Sequence, residues 1–121
     1  AILGDSLAAG YGLAPAQVFP NRLQAALKDK GRNVTVINHG VSGDTTAGGL
    51  ARVDFSVQDD TDLCIVALGG NDMLQGVDPK TVRSKNEVSS LNRISINRIK
   101  AYCHLKSSFF IKKSDIFLIG L

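Results

Sequence analysis

Residues 1–13 read Ala1-Ile2-Leu3-Gly4-Asp5-Ser6-Leu7-Ala8-Ala9-Gly10-Tyr11-Gly12-Leu13. A short apolar run stops at a glycine, and an Asp-Ser pair leads directly into Leu-Ala-Ala, so a strand end is followed at once by a helix start. The arrangement repeats downstream. Val34-Thr35-Val36-Ile37 reads as a second strand and is followed by Ser42-Gly43-Asp44-Thr45. The apolar run Leu63 to Leu68, bounded by Asp62 and Gly69, reads as a third strand covered on both faces, and Gly69-Gly70-Asn71-Asp72 follows it. Between these runs, Phe19, Leu23, Ala26 and Leu27 recur at helical spacing, with Pro20 suited to a first turn and Gly31 to a stop. Asp44 is placed to cap a helix through Leu50, Ala51 and Val53, and Asp78-Pro79 starts another. Gly48 and Gly49 inside the former each cost about 1 kcal/mol relative to Ala, which calls for close packing or a late helix start. The β-α-β-α-β-α order implies an α/β domain with a parallel sheet, whose ligands bind at the carboxyl ends of the strands. All three polar clusters sit at those ends.

Size sets an upper bound on this architecture. With 121 residues and 44% hydrophobic content the chain holds at most one domain and is short for five α/β units, so it reads as part of a domain. The net charge of +3 conceals a split: residues 1–84 carry seven Lys/Arg against nine Asp, and residues 85–121 carry seven Lys/Arg against Glu87 and Asp115. A basic tail raises nucleic acid or an anionic membrane as partners. Basic and aromatic residues do not interleave in a binding pattern, so a solvated or disordered tail is expected and no nucleic-acid partner. No run is long and apolar enough for a membrane span. Cys64 and Cys103 form neither a metal spacing nor a redox pair. The first residue is Ala1, already inside a strand, and the reading expects an N-terminal stretch before it that could hold an export signal.

Three polar residues in these clusters suit acyl transfer. Ser6 stands where a helix begins, so its hydroxyl lies beside backbone N–H groups that favour developing negative charge. Helix capping is the competing role for a serine there. Gly43 and Asn71 supply a backbone N–H and a side-chain amide, the usual donors to the oxyanion of a tetrahedral intermediate. Each has its own bland alternative, a turn glycine with positive φ and a loop amide bonding its own backbone. The G-x-S-x-G elbow of α/β-hydrolases is absent.

The three clusters, in this order and context, resemble the SGNH/GDSL hydrolase family, and within it the bacterial thioesterase I, arylesterase and lysophospholipase-like members. The quoted pattern carries the resemblance from residue 1 to about residue 84. It implies a flavodoxin-like three-layer parallel sheet, here C-terminally incomplete. It also implies Ser6 as nucleophile and the Ser6 N–H, Gly43 and Asn71 as oxyanion hole. Asp5, Asp44 and Asp72 then shape the loops as capping or supporting carboxylates. The expected function is hydrolysis of carboxylic esters or thioesters of small acyl substrates by an acyl-enzyme route, with no cofactor and no metal. A carbohydrate O-acetylesterase is the alternative within this class; a non-catalytic remnant or small-ligand-binding fragment is the alternative outside it. The periplasm, secretion and the cytoplasm are all compatible with such a family, and oligomeric state is open.

The base is where the pattern departs. A serine needs a neighbour to take its proton, and the family supplies a histidine three residues after an aspartate. The sequence contains His39 and His104, preceded at that spacing by Val36 and Ala101, so neither completes the motif. Weak or absent activity is therefore expected of this chain. Near Ser84 the composition changes as well, since eleven of twelve glycines and ten of eleven alanines precede it. Val88, Leu91 and Ile94 could continue a helix, and Asp115 to Ile119 could form a strand. The reading favoured here is a shifted frame or rearranged gene end over residues 85–121. On that reading Leu63–Leu68 or Ala1–Leu3 lacks a normal strand neighbour, and the chain is expected to aggregate.

Overall fold

The computed structural model describes residues 1–84 and the backbone of residues 99–102. Its elements are β1 (Ile2–Gly4), α1 (Ser6–Ala9), α2 (Phe19–Asp29), β2 (Asn38–Gly40), α3 (Thr46–Ser56), β3 (Cys64–Ala67), α4 (Gly70–Leu74) and β4 (Ile99–Tyr102). A 3-10 turn at Pro15–Gln17 leads into α2, and residues 79–84 are helical behind an Asp78 whose carboxylate accepts from Lys80 N. All strand pairs are parallel and the order is β2-β1-β3-β4. That order is flavodoxin-like, and it puts the topological switch point between β1 and β3.

Alternation along the strands separates two layers of helix. Gly4 and Gly40 face α1: a Cβ on Gly4 would strike Ala8 Cβ, and one on Gly40 would strike the backbone of Ala8 and Ala9. Asn38, on the same face, donates through Nδ2 to Ala8 O at 2.9 Å. Leu3 faces the other way and joins Cys64, Val66 and Leu68 of the β3 run with Val53 and Val57 from α3 and its end. Each such apolar side chain contributes about 1.5–3 kcal/mol on burial, enough to hold β1 and β3 to α3. The α/β sandwich expected from the sequence is therefore present.

The helix ends follow their sequence signals. Pro20 lies in the first turn of α2, and beyond its last turn Gly31 N–H bonds Lys28 O and Arg32 N–H bonds Leu27 O, both at 2.9 Å. These are the paired bonds of a Schellman closure. Helix α3 differs by one residue from expectation. Its cap is Thr45, whose side chain accepts from Gly48 N at 3.2 Å, while Asp44 is engaged elsewhere. Close packing accounts for Gly48 and Gly49, since a Cβ on the first would strike Asp44 Oδ1 and on the second Leu68 Cδ1.

Three strand expectations need correction. The second strand is Asn38–Gly40, and Val34 to Ile37 lead into it. In the register Ile2↔Asn38, Ile2 N–H bonds Ile37 O, and Val36 N–H is instead taken by Gln24 Oε1 at 2.7 Å. Residues 34–36 thus have no β1 residue opposite them. On β3, Cys64 and Val66 are buried and Ile65 and Ala67 half-buried, so its two faces are covered unequally. A fourth strand that the sequence pattern did not reveal, Ile99–Tyr102, pairs with β3 from Cys64↔Ile99 to Ala67↔Tyr102. Both β1 and β3 consequently have neighbours on each side, which removes the expected bare edge. The proposed helix through Ile94 and strand at Asp115–Ile119 lie outside the described residues.

Candidate active site

The parallel register sets the site. Gly4 is level with Gly40 on one side and with Ala67 on the other, so three loops leave the sheet from one line. Ser6 comes two residues after the first exit, Gly43 three after the second and Asn71 four after the third. The sequence-predicted trio therefore sits at adjacent strand exits, with Ser6 directly beyond β1 at the switch point.

Ser6 is the first residue of α1 and does not cap it. The cap is Asp5, buried at 5% exposure, whose Oδ1 accepts from Leu7 N at 3.0 Å. The Ser6 hydroxyl is half-buried and has no hydrogen-bond partner among the described residues. With four residues, α1 offers a turn of N–H groups and little macrodipole. The capping alternative for Ser6 is thus excluded by geometry.

The second loop turns on Gly43, whose φ of 83° is a left-handed conformation that glycine adopts without penalty. Asp44 N–H closes the turn on Val41 O at 3.1 Å, and Val41 N–H reaches across to Gly4 O at 2.9 Å. Asp44 then faces α3. Its Oδ2 lies 2.8 Å from both Nε and Nη2 of Arg52, and its Oδ1 accepts from Thr45 N at 3.1 Å. Gly43 itself is exposed.

The third loop is tied to the second. Asn71, in the first turn of α4, donates through Nδ2 to the Asp44 carbonyl at 2.7 Å. That bond uses one of the two amide hydrogens. Asn71 therefore bonds the neighbouring loop and not its own backbone. Next to it, buried Asp72 accepts from Thr46 N and Thr46 Oγ1.

His39 does not join this assembly. It pairs in register with Leu3, on the sheet face packed by α3, whereas α1 lies on the opposite face. Burial, then the α-amino group and Arg52, hold its pKa below 6.5. Its side chain has no hydrogen-bonded carboxylate among the described residues. His104 lies outside them. Cys64 is a buried β3 thiol with its pKa pushed up by burial, which makes it a core residue. Among the described residues no group of three His, Cys, Asp or Glu could hold a metal, and no helix is long and apolar enough to cross a membrane. Sequence reasoning missed Arg52 and Thr46; no local motif marks either, because their partners lie across the sheet end.

With this geometry in hand, the comparisons are specific. Residues 2–105 match the model of the GDSL-like lipase/acylhydrolase family. An arylesterase of Vibrio mimicus is 37% identical over 119 residues, covering 96% of this chain and 60% of that relative. Thioesterase 1/protease 1/lysophospholipase L1 of Escherichia coli K12 is 43% identical over 81 residues, covering 65% of this chain and 37% of the relative. Among solved structures, AlinE4, an SGNH-hydrolase family esterase, superposes with a TM-score of 0.66 at 44% identity, covering 75% of this chain and 52% of its own. The family match passes Ser84, where the recognisable motifs end, and takes in β4. The chain spans three fifths or less of each of these relatives.

Proposed function

The chain belongs to the GDSL-like lipase/acylhydrolase family, and on that premise we propose that it carries the nucleophile and oxyanion hole of a serine esterase for acyl esters or thioesters. Ser6 Oγ attacks the acyl carbonyl as its proton passes to solvent water, which later returns a proton to the leaving group, and the carbonyl oxygen gains negative charge as the tetrahedral intermediate forms. The N–H groups of Ser6 and Gly43 and the second Nδ2 hydrogen of Asn71 receive that charge. Expulsion of the alcohol or thiol leaves an acyl-Ser6, which water then hydrolyses. The observation that carries the reading is the in-register exit of three loops from β1, β2 and β3, with Asn71 Nδ2 bonded to the Asp44 carbonyl of the second loop.

No described residue serves as general base in this scheme, and His39 faces the wrong side of the sheet. The chain is therefore assigned a slow, Ser6-dependent reaction. Prolonged incubation with a fluorophosphonate, followed by mass spectrometry of the peptides, tests it. Phosphonylation at Ser6 that disappears in Ser6→Ala is the expected result. Label on another serine, or none at all, overturns the assignment and leaves a non-catalytic binding fragment.

A further inference from the structure

We infer that Arg52, a residue outside the nucleophile and the oxyanion donors, is the positioning residue that holds the three loops of the site in one geometry. The inference rests on the reading of Ser6, Gly43 and Asn71 proposed above. Arg52 lies on α3 and its guanidinium points back to the sheet end. Nε and Nη2 hold Asp44 Oδ2, Nη2 also donates to Gly4 O at 3.1 Å, and Nη1 donates to Ser56 Oγ at 3.2 Å. Gly4 is the last residue of β1, two before Ser6, and Asp44 directly follows Gly43. The Asp44 carbonyl in turn accepts the Asn71 amide. One side chain thus connects the backbone before the nucleophile, the residue after the second donor and, through Asp44, the third donor.

The chemistry favours arginine here. A planar guanidinium presents several donors in a fixed fork, so it can serve a carboxylate and a carbonyl together. Lysine is a point charge on a flexible stem and cannot satisfy both at these positions. The side chains of Arg52 and Asp44 are only 22% and 10% exposed, which limits solvent screening of the pair. Gly48 belongs to the same device, because any side chain at that position would collide with the Asp44 carboxylate.

The test uses the full 121-residue chain, with Arg52→Gln, Arg52→Lys and Asp44→Asn variants and Ser6→Ala as control. Three quantities are read: the Ser6-dependent rate on p-nitrophenyl butyrate, resolved into kcat and KM; the NMR position and width of the Asn71 side-chain amide; and the melting temperature. Loss of one oxyanion donor costs about 10²–10³-fold in kcat, so a displaced donor in Arg52→Gln is expected to cost about tenfold or more. KM should stay within about twofold, since the Asn71 and Gly43 contacts are made mainly in the transition state. The Asn71 amide should shift or broaden in Arg52→Gln and in Asp44→Asn. Arg52→Lys should recover melting temperature more fully than kcat; if Arg52→Gln does not fold, this variant carries the same readouts. A fall in melting temperature with kcat and the Asn71 amide unchanged in the folded protein assigns Arg52 to stability alone and overturns the inference. A rate that survives Ser6→Ala refutes the site reading instead, and the Asn71 amide still decides whether Arg52 positions that loop.

Discussion

Asp72 accepts both donors of Thr46, the backbone N–H at 2.8 Å and the Oγ1 hydroxyl at 2.6 Å, and each residue is 1% exposed. The pair joins the first turn of α4 to the first turn of α3, next to Asn71. One of the otherwise unpaired N–H groups of α3 is satisfied from another loop, which locks the two loops together.

Replacing Asp72 by Ala leaves two buried Thr46 donors without an acceptor. Hydrogen bonds to charged groups are worth about 1.5–3 kcal/mol, so Asp72→Ala should lose on the order of 3 kcal/mol and Asp72→Asn appreciably less. Urea titration of the purified chain measures both. Equal losses for the two would mean that the carboxylate charge, and not the number of acceptors, governs this contact.

Gly40→Ala should be among the more damaging small substitutions. Its Cβ would lie 2.7 Å from both Ala8 C and Ala9 Cα, backbone atoms that cannot rotate away. Overpacking of this kind costs about 1–3 kcal/mol, here at or above the upper end. A loss near zero in the same titration would show that α1 does not rest on β2.

His39 makes stability depend on pH. Its folded pKa is below 6.5, so between that folded value and 6.5 the unfolded chain binds more protons than the folded one. Stability should fall as pH drops through and below 6.5, and this slope should become shallower in His39→Gln. The same variant should leave the Ser6-dependent rate at pH 7 unchanged. A rate loss in His39→Gln would make His39 the base after all.

Catalysis should be limited by proton transfer from Ser6, since no described residue is placed to accept that proton. Without a triad member a serine hydrolase retains about 10³–10⁴-fold acceleration over water, from binding and the oxyanion hole. A chimera carrying the part of the Vibrio mimicus arylesterase that lies beyond the matched stretch should raise p-nitrophenyl butyrate turnover by about 10³-fold or more, all of it lost in Ser6→Ala. Brisk Ser6-dependent turnover in the unextended chain would show that His39 or His104 supplies the base.

Much of this site was legible because its signals are local. A strand end, a cap and a first helical turn are set by neighbours in the chain, so Asp5-Ser6, Gly43-Asp44 and Asn71-Asp72 could be found without coordinates. The Pro20 start and Gly31 stop of α2 are legible for the same reason. Val34–Ile37 precede the paired residues because the register Ile2↔Asn38 sets residues 34–36 opposite positions before Ala1. Ile99–Tyr102 was missed for a related reason. Its four residues carry no alternation strong enough to stand out, and its strand character comes from its β3 partner.

Sequence was therefore sufficient for the α/β class and for the three polar loops at the strand ends, since each depends on contacts within a few residues. Tertiary structure alone decided that Asp44 bonds Arg52 and Asn71, that Asp72 bonds Thr46, and that His39 faces away from α1. Those outcomes depend on strand register and on which sheet face each helix covers. Groups separated by 8 to 48 residues are brought within hydrogen-bonding distance there, and no local propensity encodes such meetings.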